Sequence, residues 1–498
     1  MITDELNARV REALGLVPTV EQEQAIETFS RFMTDREEQA TMVMRGCAGT
    51  GKTTLAAAMV KALQRLGQQL VLLAPTGRAA KVFSLYAGHP ASTIHRRIYR
   101  QKSLEGGFSL GYNAEHDTLF IVDEASMVSN GRSVLSDDMG RNLLDDLISF
   151  VYNGRNCRLM LIGDHAQLPP VGETESPALQ SEVLRQYGLR VYECRLNKVL
   201  RQSQDSGILW NATEVRCHRN HGDRLVDVNL FNQKPVPVIP LPKIRFEGFK
   251  DIRVVPGDEL IESLASSYSQ VGLDETLVVT RSNKRANIYN QGIRNTVLDR
   301  EDELCTGDQL MIVKNNYYWI KGEGGEQRES GLTFIANGDR AVVRRVRNVH
   351  EQHGFRFAEV TMTFPDYDDY ELTATVLLDT LTSEAPSLTR EQQQQLFNKV
   401  LEDYADVRLK SERLKKVKED RYYNALQVKF AYAATCHKAQ GGQWAHVYVD
   451  QGYMTDDMLT VDYIHWLYTA FTRATERLYL VNWPKQQTES KTTTNDTN

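Results

Sequence analysis

The segment Gly46-Cys47-Ala48-Gly49-Thr50-Gly51-Lys52-Thr53 fits the pattern G-x-x-x-x-G-K-[ST] and lies between an apolar run, Met42-Val43-Met44, and an alanine-rich stretch with helical spacing. Such a segment asks for a strand before it and a helix after it. Its glycines let successive backbone N–H groups converge on phosphate oxygens while the helix turns its positive end toward the same anion. In this reading Gly46, Ala48, Gly49, Thr50, Gly51 and Thr54 form the cradle. Lys52 neutralises the outer phosphates and the Thr53 hydroxyl holds Mg²⁺. A glycine-rich turn without a ligand is the alternative, and the flanking strand and helix favour the phosphate loop.

The chain has 498 residues, 41% of them hydrophobic and 25% charged. That is the balance of an ordinary globular protein, with room for about three or more domains. No apolar stretch approaches a membrane span. The first residues, Met1-Ile2-Thr3-Asp4-Glu5-Leu6, lack the basic segment and hydrophobic core of a secretory signal, so a cytoplasmic protein is expected. Six scattered cysteines form no C-x-x-C pair, which argues against a disulfide framework or a cysteine-rich zinc module. Cys217-His218 with His221 has no second ligand pair at a usual spacing and reads as a polar surface loop. Fifty-nine Lys plus Arg against sixty-five Asp plus Glu leave a net charge of −6. A passive coat for nucleic acid is usually basic, whereas an enzyme with a local positive groove need not be.

Apolar runs at 70–74, 118–122 and 158–162 each end in a loop of Gly, Pro, Asp or Thr and alternate with helical patterns. They predict buried parallel strands, whose carboxyl ends are where ligands bind in such sheets. A second set at 276–280, 428–433, 445–449 and 477–481 predicts a second α/β domain. Between the sets lie a proline-rich stretch, residues 234–242, read as a linker, and a β-rich region with a charged helical return.

Asp123-Glu124-Ala125-Ser126 follows the apolar run 119–122, which places two acids at the end of a buried strand. Asp123 suits the Mg²⁺ shell and Glu124 suits the attacking water; a helix N-cap is the plainer reading. Gly163-Asp164-His165-Ala166-Gln167-Leu168-Pro169-Pro170-Val171-Gly172 follows another strand, and its amide Gln167 suits a γ-phosphate sensor.

These two segments resemble motifs II and III of superfamily 1 helicases, most nearly the RecD-like and phage Dda-like branch. Further segments follow in the family's order. Thr19-Val20-Glu21-Gln22 is similar to the segment whose glutamine reads adenine, which implies Gln22. Ala74-Pro75-Thr76-Gly77-Arg78 resembles motif Ia, and Ser92-Thr93-Ile94-His95 resembles Ib. Leu196 to Gln202 resembles motif IV, Thr435 to Gly441 motif V, and Tyr468 to Ala474 motif VI. The likeness spans residues 19 to 474.

The resemblance implies an α/β fold with two RecA-like parallel-sheet domains, residues 1–210 and 261–487, joined by a connecting segment, 211–260; the polar last eleven residues, 488–498, are expected to be disordered. It also implies a small β-hairpin insertion at about 96–117 and an SH3-like β-rich insertion at about 335–425. ATP with Mg²⁺ is the implied cofactor pair, and the implied activity is a helicase on single-stranded DNA and its junctions with duplex, 5′ to 3′. Lys52, Asp123, Glu124, Gln167, Arg201 and Arg473 are the implied catalytic set. The two arginines would stabilise the charge that spreads over the transferred phosphoryl group of a nucleotide held between the domains.

Pro75, Thr76, Thr93, His95, Thr435, His437 and Lys438 are the expected strand contacts, with Phe108 and Tyr112 as candidates for a duplex-splitting wedge. Two departures stand out. Gly441-Gly442-Gln443-Trp444 lacks the acid expected to touch the ribose, and Asn197 replaces a threonine. An RNA helicase and an ATP-switched, non-motor subunit of a recombination or repair complex are the alternative functions.

Overall fold

The computed structural model describes residues 2–36, 39–101, 108–131, 142–200, 205–221, 242–320, 334–455 and 458–489. Contacts divide the chain into two compact units. The first contains Met1–His165, Pro169–Lys198 and Asn290–Ala431; the second contains Ala166–Leu168, Val199–Tyr289 and Tyr432–Asn498.

The first unit is built on a six-stranded, all-parallel sheet ordered Ala91–Thr93, Gln69–Ala74, Thr118–Val122, Arg158–Gly163, Ala40–Gly46, Arg190–Leu196. The central strands are buried throughout, because helices cover both faces of a parallel sheet. Alternate side chains feed two cores. Met42, Met44, Leu119, Ile121, Met160 and Ile162 join one. Val43, Phe120, Val122, Leu159 and Leu161 join the other. This is the two-residue period of a strand expressed as packing. The hairpin expected between motifs Ib and II is present as Tyr99–Gln101 paired with Phe108–Leu110; its tip and the Phe108 side chain lie outside the described residues.

The β-rich insertion is a closed five-stranded barrel of Gln309–Ile312, Arg340–Gln352, Phe355–Phe364, Tyr370–Leu377 and Leu426–Phe430. It therefore begins earlier and ends later than 335–425. Closure comes from Leu426–Phe430, antiparallel to the first strand and parallel to the fourth. Helices Arg390–Asp403 and Lys410–Lys418 cover it, with Leu396, Val400 and Val417 packed on Phe355, Phe357 and Leu377. At its root the buried Arg294 grips the buried Asp308 at 3.0 Å and Arg300 adds a second contact at 2.8 Å. A buried pair of this kind is costly to break by removing one partner.

The second unit carries a five-stranded parallel sheet ordered Ala433–Thr435, Thr276–Thr280, Trp444–Asp450, Ala474–Val481, Ile252–Val255. Two details differ from expectation. The run 428–433 is not one strand: Leu426–Phe430 closes the barrel, and Ala433–Thr435 joins this sheet. Segment 211–260 is more than a connection, since Ile252–Val255 forms the sheet's edge and Gly207–His221 is a helix. Of the proline-rich stretch, all but Pro242 lies outside the described residues, as does the tail from 490 onward.

Candidate nucleotide site and strand-contact loops

The loop after the buried strand Ala40–Gly46 turns through two left-handed glycines, Gly49 at φ +75° and Gly51 at φ +81°, a region that side chains disfavour. Gly46 is required for a different reason. A Cβ there would stand 2.7 Å from Lys52 Cγ and 2.9 Å from Thr50 Oγ1. The loop is tied internally: Thr50 Oγ1 donates to the Cys47 carbonyl at 2.8 Å and Lys52 Nζ donates to the same oxygen at 2.9 Å. Helix Lys52–Arg65 follows, and its buried Ala56, Ala57 and Ala58 let it lie close on the sheet. Its first turn carries Thr53 and Thr54, so backbone donors, an ammonium and hydroxyls meet at one helix N-terminus, the arrangement an oligophosphate requires.

Gln22 reaches this loop from helix Val20–Thr34. Its Oε1 accepts from Thr19 N at 3.0 Å, completing a capping box, and its Nε2 donates to the Thr50 carbonyl at 3.3 Å. Both ends of the amide are thus engaged. Its neighbour Glu21, which sequence reasoning passed over, accepts from the N–H groups of Asn197 and Lys198 at 2.7 and 2.8 Å. The signal was an acid in the first turn of a capped helix. Arg201, three residues further on, lies outside the described residues.

Asp123 and Glu124 stand at the carboxyl end of Thr118–Val122. The Asp123 carboxyl keeps some surface open to solvent but is packed round by protein, and its pKa is pushed up to about 7, first by burial and then by the Glu124 charge; the Glu124 N–H and Lys52 pull it back down. Glu124 N donates to Asp123 Oδ1 at 2.9 Å, and Glu124 itself is left-handed at φ +52°. The helix-cap alternative fails in detail, because Glu124 begins only a short 3-10 turn and makes no side-chain cap bond. Thr53 and Asp123 offer hard oxygen donors, which suit Mg²⁺ rather than a softer metal. Cys47 Sγ, an Asp164 carboxylate oxygen and a His165 ring nitrogen lie within 4.8 Å of one another, which sets Asp164 and His165 beside the phosphate loop.

The expected strand contacts fall on two sets of loops. In the first unit Thr76 caps helix Gly77–Ala87 by accepting from Ala79 N, with Pro75 before it, and Thr93 caps Ile94–Ile98 by accepting from Arg96 N. The His95 ring lies 5.6 Å from that of Tyr99, and Tyr112 is 87% exposed. In the second unit Thr435 ends strand Ala433–Thr435, and His437 and Lys438 lie on the short helix Cys436–Ala439 that follows.

Gln167 and Arg473 also belong to the second unit. Gln167 is buried and, among the described residues, its Oε1 has no hydrogen-bond partner, while its neighbour Leu168 is held by Thr469 Oγ1 at 2.7 Å and Gln440 Nε2 at 2.8 Å. Arg473 is buried too, donating to the carbonyls of Thr469 at 3.0 Å and Gly442 at 2.9 Å and to the Thr472 hydroxyl at 3.2 Å. Thr469 was not singled out in the sequence, although it lies inside the last motif.

A phosphate loop, paired acids at a neighbouring strand end and a polar third loop beside the cradle, all on one parallel sheet, define a P-loop protein. Residues 19–227 match a family model described as an AAA domain, and residues 430–481 match a UvrD-like helicase C-terminal domain. These matches support the resemblance to superfamily 1 helicases of the RecD-like and Dda-like branch. It is 25% identical over 298 residues to the ATP-dependent DNA helicase dda of Enterobacteria phage T4, covering 58% of this chain and 60% of that one. It is 37% identical over 136 residues to the ATP-dependent RecD2 DNA helicase of Deinococcus radiodurans, covering 26% of this chain and 16% of that one. Each alignment thus spans less than two thirds of the relative. A crystal structure of Pif1 helicase from Bacteroides, in complex with ADP-AlF3 and ssDNA, aligns over 96% of this chain and 95% of that one, with 14% identity and a TM-score of 0.45. No helix among the described residues is long and apolar enough to cross a membrane.

Proposed function

We propose that this protein is an ATP-dependent DNA helicase that translocates on single-stranded DNA, 5′ to 3′, and couples ATP hydrolysis to duplex unwinding. The observation that carries this reading is the placement of the phosphate cradle, the Asp123–Glu124 pair and the capped loops of Thr76 and Thr93 on a single sheet, all at strand carboxyl ends. Chemistry and strand contact then share one rigid base.

In this reading Lys52 and the N–H groups of the loop hold the β- and γ-phosphates, while Glu124 orients the attacking water. Thr53 and Asp123 hold Mg²⁺, which when bound offsets the charge developing on the phosphate oxygens. Asp123 must be ionised to serve as a ligand, and Lys52 favours that form. By resemblance to the motifs that carry them, Gln167 is assigned to sensing the γ-phosphate, and Arg201 and Arg473 to adding positive charge to the transition state. Hydroxyl and backbone contacts at Thr76, Thr93 and Thr435 let the strand be gripped and released, since a motor cannot rely on dense fixed charge.

Strand displacement on substrates with a 5′ or a 3′ overhang tests activity and direction together. Displacement from the 5′-tailed substrate alone is the expected result. Strand-independent ATP hydrolysis would sink the motor reading, and preferential stimulation by an RNA oligomer of the same sequence would favour an RNA helicase.

A further inference from the structure

The barrel is inserted in sequence between two strands of the second sheet, Thr276–Thr280 and Ala433–Thr435, yet it packs within the first unit. Part of that attachment is a buried polar cluster. The Tyr367 hydroxyl donates to Asp339 Oδ1 at 2.8 Å, and Ala336 N donates to Oδ2 at 2.7 Å. Asp339 is 2% exposed. Against this pair lies Gly77, the first residue of helix Gly77–Ala87, where a Cβ would stand 2.6 Å from the Tyr367 hydroxyl oxygen and 3.0 Å from Asp339 Oδ1. One turn on, Lys81 Nζ donates to the Pro365 carbonyl at 2.5 Å. Arg96, on helix Ile94–Ile98, is the cation whose charge acts on both Asp339 and Tyr367.

We infer that Asp339 and Tyr367 are positioning residues for single-strand binding, fixing the loops of Thr76, Thr93 and His95 by holding the barrel against Gly77 and Arg96. The inference rests on the strand-contact reading of those loops. Its physical basis is the lack of slack: Gly77 meets the phenol with its backbone, no flexible side chain intervenes, and the next residue back is Thr76. A hydrogen bond in such a buried place is stronger than one in water, and an orphaned partner there is costly. Loss of the Tyr367 hydroxyl frees the loop to wander by fractions of an ångström, enough to misplace donors that must meet a phosphate.

The test is ATP hydrolysis measured against the concentration of an oligothymidine strand, for the wild type and for Tyr367→Phe, Asp339→Asn and Lys81→Ala. The half-saturating strand concentration is expected to rise roughly three- to tenfold in the first two and about twofold in the surface variant Lys81→Ala. The KM for ATP and the rate at saturating strand should hold, which separates positioning from general damage. Unchanged half-saturation in Tyr367→Phe and Asp339→Asn, beside normal strand stimulation of the wild type, overturns the inference alone. So does a loss of rate and ATP affinity with no change in strand half-saturation. Absence of strand stimulation in the wild type removes the strand-binding reading itself, and this inference with it.

Discussion

Gln22 donates to the carbonyl of Thr50 across 3.3 Å while its other amide atom closes the capping box on Thr19. One side chain therefore couples the start of a helix to the curvature of the phosphate loop. The two roles separate by substitution. Gln22→Glu keeps an acceptor for Thr19 N but loses the donor to Thr50, so ATP affinity should fall roughly tenfold with little change in melting temperature. Gln22→Ala loses both, and should also cost about 1 kcal/mol of stability. Titration with a fluorescent ATP analogue beside thermal melts reads the difference.

Gly46 is the second test of the cradle. In Gly46→Ala the new methyl meets Lys52 Cγ near the stem of the side chain rather than at its flexible tip. Relief requires Lys52 to swing off its rotamer, and nucleotide affinity should drop at least about tenfold while the far-ultraviolet spectrum stays that of the wild type. Wild-type affinity in this variant would show that the loop rearranges more freely than its hydrogen bonds suggest.

Lys52→Ala and Glu124→Gln should fail in different ways. In the proposed role of Lys52 the first removes the cation that offsets the charge of the outer phosphates, and both binding and turnover should fall, turnover by roughly a hundredfold or more. The second leaves the cradle intact, so nucleotide should still bind with near-normal affinity while hydrolysis is lost. Equal loss of binding in both would take Glu124 out of the water-orienting role.

The barrel supplies a pH test of its own. Lys429 is buried in strand Leu426–Phe430, donates to the Thr380 carbonyl at 3.2 Å and also contacts that of Ser383, and burial lowers its pKa to about 8. The unfolded chain holds that proton up to about pH 10.4. Folding therefore sheds protons between pH 8 and 10.4, and stability rises across that window, by on the order of 3 kcal/mol at most. Below pH 8 the gain is absent. Lys429→Met should flatten this rise in urea melts and raise the midpoint at pH 7; an unchanged slope would mean that the ammonium is well solvated by its carbonyl partners.

Much of this arrangement was legible because its signals are local. The phosphate loop, the acids after Val122 and the runs at 118–122 and 158–162 each announce themselves within ten residues or so, and strands buried on both faces have no polar positions to disguise them. The edge strands hid better. Arg190–Leu196 exposes Arg190, Glu193 and Arg195, and Ile252–Val255 is only four residues long. The run 428–433 misled because a barrel strand and a sheet strand adjoin with only Ala431 and Tyr432 between them, and hydrophobicity alone does not mark the border. The Asp339–Tyr367–Gly77 cluster had no sequence signal at all: Lys81 and Pro365, which flank it, are 284 residues apart.

Glu124 carries a consequence for how this protein would respond to selection for robustness. Its backbone occupies the left-handed region at φ +52° without being glycine, a conformation that costs on the order of 1 kcal/mol. Glycine at this position would relieve the strain and delete the carboxylate in one step. If Glu124 orients the attacking water as proposed, a screen that rewards heat resistance alone should thus enrich Glu124→Gly and return inert protein, because tolerance of heat and competence in catalysis would then be set by the same residue.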